Sequence, residues 1–240
     1  MIMRIPLIED LTSEPIPEGS SILVEFDPAS LWYNAAVTIA AGWLKDGGGV
    51  SFSAAGQSPD RVRTKLKRLG VDPARLESVT DVEGTGMLRI WDWYSASTGA
   101  KSQERFAIGS LKVADLSIYY SQQQLHGPPI PHRLLIIDDG SVLGRFNAEN
   151  NWIEFDLSRI VPMARLRHAR MITSMIRGVH SGAAVRRVEA AADGIVEFKL
   201  DESADPIQNL IRVKAMKDIG FDGRWHRLKV LDNQEVQVIK

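Results

Sequence analysis

Short apolar runs recur along the chain, separated by stretches whose apolar positions repeat every three or four residues. Ile22-Leu23-Val24, Met87-Leu88-Arg89-Ile90-Trp91, Arg133-Leu134-Leu135-Ile136-Ile137 and Met171-Ile172-Thr173-Ser174-Met175 read as strands covered on both faces, with Val50-Ser51-Phe52-Ser53 as a further strand. Helices are predicted between them. Residues 31–45 are apolar almost all round (Leu31, Trp32, Ala35, Ala36, Ile39, Ala40, Trp43, Leu44), which predicts a buried helix stopped by Gly47-Gly48-Gly49. Ser58-Pro59-Asp60 supplies a cap, a proline at the first helical position and early negative charge. Val62, Leu66 and Leu69 then line one face before Gly70 closes the helix. Further helices are predicted over residues 105–120, over 151–168 with an interruption at Pro162, and over 183–192.

The tail changes character. Residues 195–200, 207–216, 225–231 and 235–239 read as strands joined by Asp, Asn, Gly and Pro turns, the last two as a hairpin. Alternating strands and helices followed by a strand-rich tail predict an α/β fold: a mostly parallel sheet flanked by helices, with antiparallel strands added at the C-terminal edge. Pro6, Pro15 and Pro17 predict an extended N-terminal arm over residues 1–19, packed on its own domain or on a neighbouring subunit. Residues 20–240 are expected to form a single domain.

Composition narrows the chemistry. The chain has 240 residues, 44% hydrophobic, with no cysteine, so thiolate catalysis, disulfides and cysteine-ligated metals are excluded. A net charge of −1 gives no general attraction to nucleic acid or anionic lipid. No segment reads as a signal peptide or a membrane span, and a cytoplasmic address is expected.

The candidate chemistry centres on the turn after the first strand, Phe26-Asp27-Pro28-Ala29-Ser30-Leu31-Trp32-Tyr33. A phosphate-binding turn at this point would be built from glycines and carry a lysine. This one is bulky and has no lysine. Asp138 and Asp139 end a strand, where they either retain a metal or simply terminate a buried element. Trp91, Trp93 and Tyr94 form an aromatic cluster before a polar loop reaching Thr98-Gly99; packing is favoured over base stacking. His180 follows a strand without an acid or nucleophile beside it in sequence, while His132, His168 and His226 lack metal spacing. The basic stretch Arg61 to Arg68 and the group Arg159, Arg165, Arg167 and Arg170 read first as solvated faces.

Taken in order, these features resemble the KaiC-like branch of the RecA superfamily of P-loop ATPases. Pro17-Glu18-Gly19-Ser20-Ser21-Ile22-Leu23-Val24 resembles the strand entering that family's Walker A loop, and Ser58-Pro59-Asp60 through Leu69-Gly70-Val71-Asp72 the helix after its second strand. Leu134 to Asp138 is similar to its Walker B strand; Gly178-Val179-His180-Ser181 and Ala192 to Glu197 match in order and kind. The resemblance implies that the glycines, lysine and hydroxyl of the Walker A loop fall on Phe26 to Tyr33, so that the motif is degenerate. Trp32 then stands at the cation's position, and Tyr33 at the small magnesium-binding hydroxyl's. The catalytic glutamates fall near Gly56 and Gln57, neither of which can accept a proton from water. Asp138 remains as a residual Walker B aspartate. Basic residues reaching across a subunit interface fall near Lys214 to Lys217.

The expectation is therefore a pseudo-ATPase with no catalytic residues, no metal, and no bound ATP or magnesium. It would act as a regulatory or scaffolding component in signal transduction, as a homo-oligomer or paired with an active RecA/KaiC-like ATPase, away from membranes. One alternative is a recombinase-paralog-like accessory binding single-stranded DNA. Another is an enzyme with a different site built from Asp92, Asp138, Asp139 and His180.

Overall fold

The computed structural model describes residues 3–77, 86–126 and 132–239, without the side chains of 122–126. Ten strands form one sheet, ordered β10-β9-β8-β7-β1-β6-β5-β2-β3-β4. In chain order the elements are β1 (Ser21–Phe26), α1 (Trp32–Lys45), β2 (Gly49–Ala54), α2 (Pro59–Arg68), α3 (Pro73–Glu77), β3 (Leu88–Asp92), α4 (Trp93–Thr98), β4 (Phe106–Ala107) and α5 (Val113–His126). They continue with β5 (Arg133–Ile137), α6 (Glu149–Phe155), α7 (Val161–Leu166), β6 (Arg170–Ile176), α8 (Gly182–Ala191), β7 (Gly194–Asp201), β8 (Gln208–Met216), β9 (His226–Val230) and β10 (Val236–Ile239). The strands from β4 across to β7 are parallel, and β8, β9 and β10 add antiparallel to that edge.

The alternation of side chains along each strand divides the core. Ile22, Val24, Phe26, Val50, Phe52, Ala54, Leu88, Ile90, Leu134 and Ile136 face α1, α2 and the N-terminal arm. Leu23, Trp91, Ile137, Met171 and Met175 face the other way, toward α5, α6, α7 and α8. Helix α1 lies buried, as its apolar girth requires, and α2 buries Val62 and Leu66 before Gly70 turns the chain at φ +76°.

The arm is not extended throughout, because residues Glu9–Leu11 form a short 3-10 turn. Ile5, Leu7, Ile8, Leu11 and Ile16 join the α1-side core of the same chain. Glu9 is buried among them, its carboxylate accepting from the amides of Ile5 and Ile16 at 2.8 and 2.7 Å.

Two helices differ from the sequence reading. Residues 93–98 are the helix α4 rather than a loop: the Asp92 carboxylate accepts from the Ser95 amide at its start, and Gly99 ends it at φ +75°. The helix expected over 105–120 begins only at Val113, after the two-residue strand β4. The interruption near Pro162 is a π-helical turn, Asp156–Ile160, just before the proline, which has no N–H to continue the ladder.

Candidate functional site

Parallel packing gathers the loops after β1, β2, β5 and β6 at one end of the sheet, where open α/β folds place their sites. Phe26 ends β1 fully buried, and Trp32 opens α1 fully buried. Their rings lie 6.1 Å apart, Trp32 stands 5.2 Å from Phe198 of β7, and Tyr33 meets Phe26 edge-on at 5.4 Å. The Trp32 indole Nε1 donates to the main-chain oxygen of Asp138 at 2.8 Å. Ring and hydrogen bond together span the space between the loop and the end of β5.

The loop's own donors point inward. Asp27 N–H donates to Phe198 O at 3.0 Å, Ser30 N–H to Asp27 O at 2.9 Å, and Leu31 N–H to Asn209 Oδ1 at 2.9 Å. Pro28 has no N–H to offer. The Asp27 carboxylate accepts from Leu200 N–H at 3.1 Å, tying the loop to β7. Three backbone amides that could have faced an anion are thus spent, two on the strands beside the loop and one within the turn.

Asp138 and Asp139 lie beneath these rings. Asp138 is fully buried: its Oδ1 accepts from the amides of Ala55 and Gly56 at 2.7 and 3.0 Å, while its Oδ2 has no partner among the described residues. Burial, with the neighbouring Asp139 charge adding to it, pushes its carboxyl up to about 7. Asp139 accepts from the Tyr33 hydroxyl at 3.3 Å and from Ser141 N–H at 3.0 Å, and burial pushes it up to about 6. The Tyr33 phenol is pushed up in turn by burial and by both carboxylates.

Tyr33 also covers Gly56. A Cβ at Gly56 would fall 2.1 Å from the Tyr33 ring, so these two residues occupy one volume. Gln57 donates to Tyr33 O at 3.3 Å and accepts from Lys65 Nζ at 2.9 Å. Burial, with the Arg61 charge adding, lowers the Lys65 ammonium to about 8, against the pull of Asp138. Lys65, Phe198 and Asn209 therefore complete a cluster of which the sequence reading saw only Phe26 to Tyr33, Gly56, Gln57 and Asp138. Phe198 and Asn209 carry no local signal, since they arrive from strands some 170 residues further on.

The other predicted residues do not converge here. Asp92 accepts from Ser102 Oγ at 2.6 Å as well as capping α4. His180 contacts Ser141 Oγ at 2.8 Å and Glu149 Oε1 at 3.4 Å beneath Trp152, with its ring almost wholly covered. That Ser-His-Glu succession resembles a charge-relay chain, but Ser141 is buried and its hydroxyl also accepts from Ile176 N–H. Of Asp92, Asp138, Asp139 and His180, Asp139 and His180 meet only through Ser141, and Asp92 is bonded instead to Ser95 and Ser102. Among the described residues no group of three or more His, Cys, Asp or Glu could hold a metal ion.

Trp91 and Trp93 are buried, so they pack rather than present a stacking platform, while Tyr94 is partly exposed. On α2, Arg63 is fixed to Glu77 at 3.0 Å and to Glu104 at 2.5 Å. Lys214 reaches Glu25 and Glu189 of its own chain at 3.2 and 2.6 Å, and Lys217 lies 3.9 Å from Asp193. His132 lies against Glu18 and His226 against Asp222. Among the described residues no helix is long and apolar enough to cross a membrane.

A mostly parallel sheet flanked by helices, with antiparallel strands at one edge and a strand-turn-helix facing an acidic strand end, defines a RecA-like fold. The same fold is found in the crystal structure of a KaiC-like protein from the hyperthermophilic archaeon Pyrococcus horikoshii. The two chains share 15% identity with a TM-score of 0.72, over 100% of this chain and 98% of that one. No protein-family model matches the sequence, and no curated protein matches it.

Proposed function

We propose that this protein is a catalytically inactive RecA/KaiC-like protein, a pseudo-ATPase with a regulatory or scaffolding role in signal transduction. It would act through homo-oligomerisation or by pairing with an active relative. The observation that carries this reading is the Trp32 side chain, buried between Phe26 and Phe198 and hydrogen-bonded to the Asp138 carbonyl. On the family resemblance this is the position of the phosphate-binding lysine. Opening it to a triphosphate would expose a ring whose burial is worth roughly 2–3 kcal/mol and break a buried hydrogen bond worth about 1 kcal/mol. The triphosphate would then meet Asp27, Asp138 and Asp139 with no cation from the loop.

Support comes also from the Asp27 and Leu31 amides, which are committed to β7 and β8 rather than free for phosphate. Gly56 and Gln57, at the positions the resemblance gives to catalytic glutamates, hold Tyr33 and Lys65 instead. Thermal unfolding with and without millimolar ATP and magnesium tests the reading. The expected result is an unchanged midpoint; a rise of several degrees would sink it, because a ligand that binds only the folded state must stabilise it.

A further inference from the structure

The sheet ends on β10, whose outer side faces no further strand among the described residues. The direction of its peptide groups follows from the hairpin with β9. Leu231 N–H donates to Glu235 O at 2.8 Å, so residues 235, 237 and 239 turn their N–H and C=O toward β9, and Val236 and Val238 turn theirs outward. The Val236 N–H accordingly donates to Thr38 Oγ1 of α1 at 3.1 Å. The outward N–H and C=O of Val238 have no partner among the described residues.

Proteins usually guard such an edge with proline, a charge or a covering segment. Val236-Gln237-Val238-Ile239 contains neither proline nor charge, and Ile239 is exposed. A groove of about 270 Å³ lies beside these residues, walled by Pro6 and Leu7 of the N-terminal arm and Thr38 of α1. The two faces of the sheet differ in character here. Leu228, Val236 and Val238 pack on the α1 side. On the opposite face Arg227 and Lys229 of β9 stand across from Ile239 and Gln237 of β10. Both cations are exposed, and neither has an ion-pair partner among the described residues. Glu235 is bonded instead to Asn233 Nδ2 and Gln237 Nε2, each at 3.3 Å.

We propose that β10 is the docking edge for an extended acidic segment of a partner protein, in which carboxylates alternate with apolar residues. The segment lies beside β10 as a further strand and pairs with Val236 O and the outward groups of Val238. Period-two alternation sends its apolar side chains toward the groove at Pro6 and Leu7 and its carboxylates to the other face. A strand at that place is roughly 10 Å from β9, a gap that Arg227 or Lys229 and a glutamate close between them. A second copy of this chain fits less well. It offers four residues a side, against the roughly 20–30 of a stable interface, and its one nearby carboxylate, Glu235, is already bonded. The edge shares no residue with the aromatic plug, and the proposal stands whether or not ATP binds.

Fluorescence polarisation with a labelled Val-Glu-Val-Glu-Val-Glu-Val peptide tests the assignment, beside its lysine counterpart and an acidic peptide with proline in place of each valine. Saturable binding of the glutamate peptide to the native chain is expected, with the lysine peptide weaker by about tenfold or more and the proline peptide showing none. Val238→Pro removes the outward N–H and should weaken the glutamate peptide by about tenfold or more. If that variant does not fold, Arg227→Glu combined with Lys229→Glu, both at exposed positions, reads the same edge by reversing the preference toward the lysine peptide. Absence of saturable binding to the native chain, equal affinity for the glutamate and lysine peptides, or unchanged affinity in a folded variant would overturn the proposal. So would a native dimer in sedimentation velocity that Val238→Pro converts to monomer. The edge would then belong to a second copy, which leaves homo-oligomerisation standing and removes the acidic partner.

Discussion

The two ends of β5 face opposite electrostatic problems and solve them differently. Past Ile137 its C-terminal end presents Asp138 and Asp139, capped by amides, a phenol and an indole. At its N-terminal end, about 17 Å away by strand rise, Arg133 joins Arg89 and Arg167 around a space left open. Acids surrounded by aromatic rings can discharge themselves by taking up protons, and they need no ligand. Guanidinium groups have no such escape, and Arg133 keeps its charge while its Nη2 and Nε donate to Ser51 Oγ. The acidic end is thus closed by groups that can take up protons, and the basic end by groups that cannot.

The largest effect that could break this comparison is at Trp32. Trp32→Ala removes a fully buried indole and its bond to Asp138 O, and should lower stability by about 3–5 kcal/mol in urea unfolding. Trp32→Lys should cost a comparable amount, because the ammonium would sit between Phe26 and Phe198. A folded Trp32→Lys variant that gains ATP affinity would show the end to be a dormant phosphate site rather than a structural plug.

Next comes the acidity of the plug. The Asp138 and Asp139 carboxyls lie near 3.8 when exposed and are pushed up to about 7 and about 6 when folded, so between those values the folded state binds more protons than the unfolded chain. Stability from these groups is full below about pH 4 and is lost progressively as pH rises from there through 6 and 7. Asp156, pushed up to about 7 by burial, adds a slope of the same sign. Urea midpoints measured from pH 5 to 8 should therefore fall with rising pH, and Asp138→Asn should flatten part of that fall. A midpoint that rises across this range would mean that the carboxylates are stabilised as anions.

A smaller effect tests the contact between Tyr33 and Gly56. Gly56→Ala places a methyl group 2.1 Å from the ring and should cost about 1–3 kcal/mol, most of it recovered when Tyr33 is cut to Ala in the double variant. Additive losses in that cycle would show that the two residues do not share one volume.

These particulars also show what a single sequence can disclose. The parallel strands were legible because burial on both faces writes them as unbroken apolar runs, and α2 because its cap, proline and glycine stand at fixed offsets. Helix α4 was hidden, since Asp92 looks like one more polar residue until its carboxylate meets the Ser95 amide. The plugged loop stood out through what it lacks, namely glycines and a lysine. Its partners Phe198 and Asn209 could not be read, because only sheet order brings β7 beside β1 and β8 beside β7. Arg89 and Arg133 did leave a signal, a charge inside an apolar run, yet one polar residue per strand reads as tolerance. Their convergence depends on the register of three strands and on the turn that carries Arg167.

The smallest expected effect sharpens the comparison at its basic end. Replacing one buried member of a like-charged cluster with an apolar residue of similar length removes desolvation and repulsion together, against the loss of the bond to Ser51. Arg133→Met should therefore raise the unfolding midpoint by an amount corresponding to about 1 kcal/mol. Urea midpoints of the two proteins at one pH measure the difference. A lower midpoint in the variant would mean that the bond to Ser51 outweighs the desolvation and repulsion, and that the basic end of β5 is as well satisfied as the acidic one.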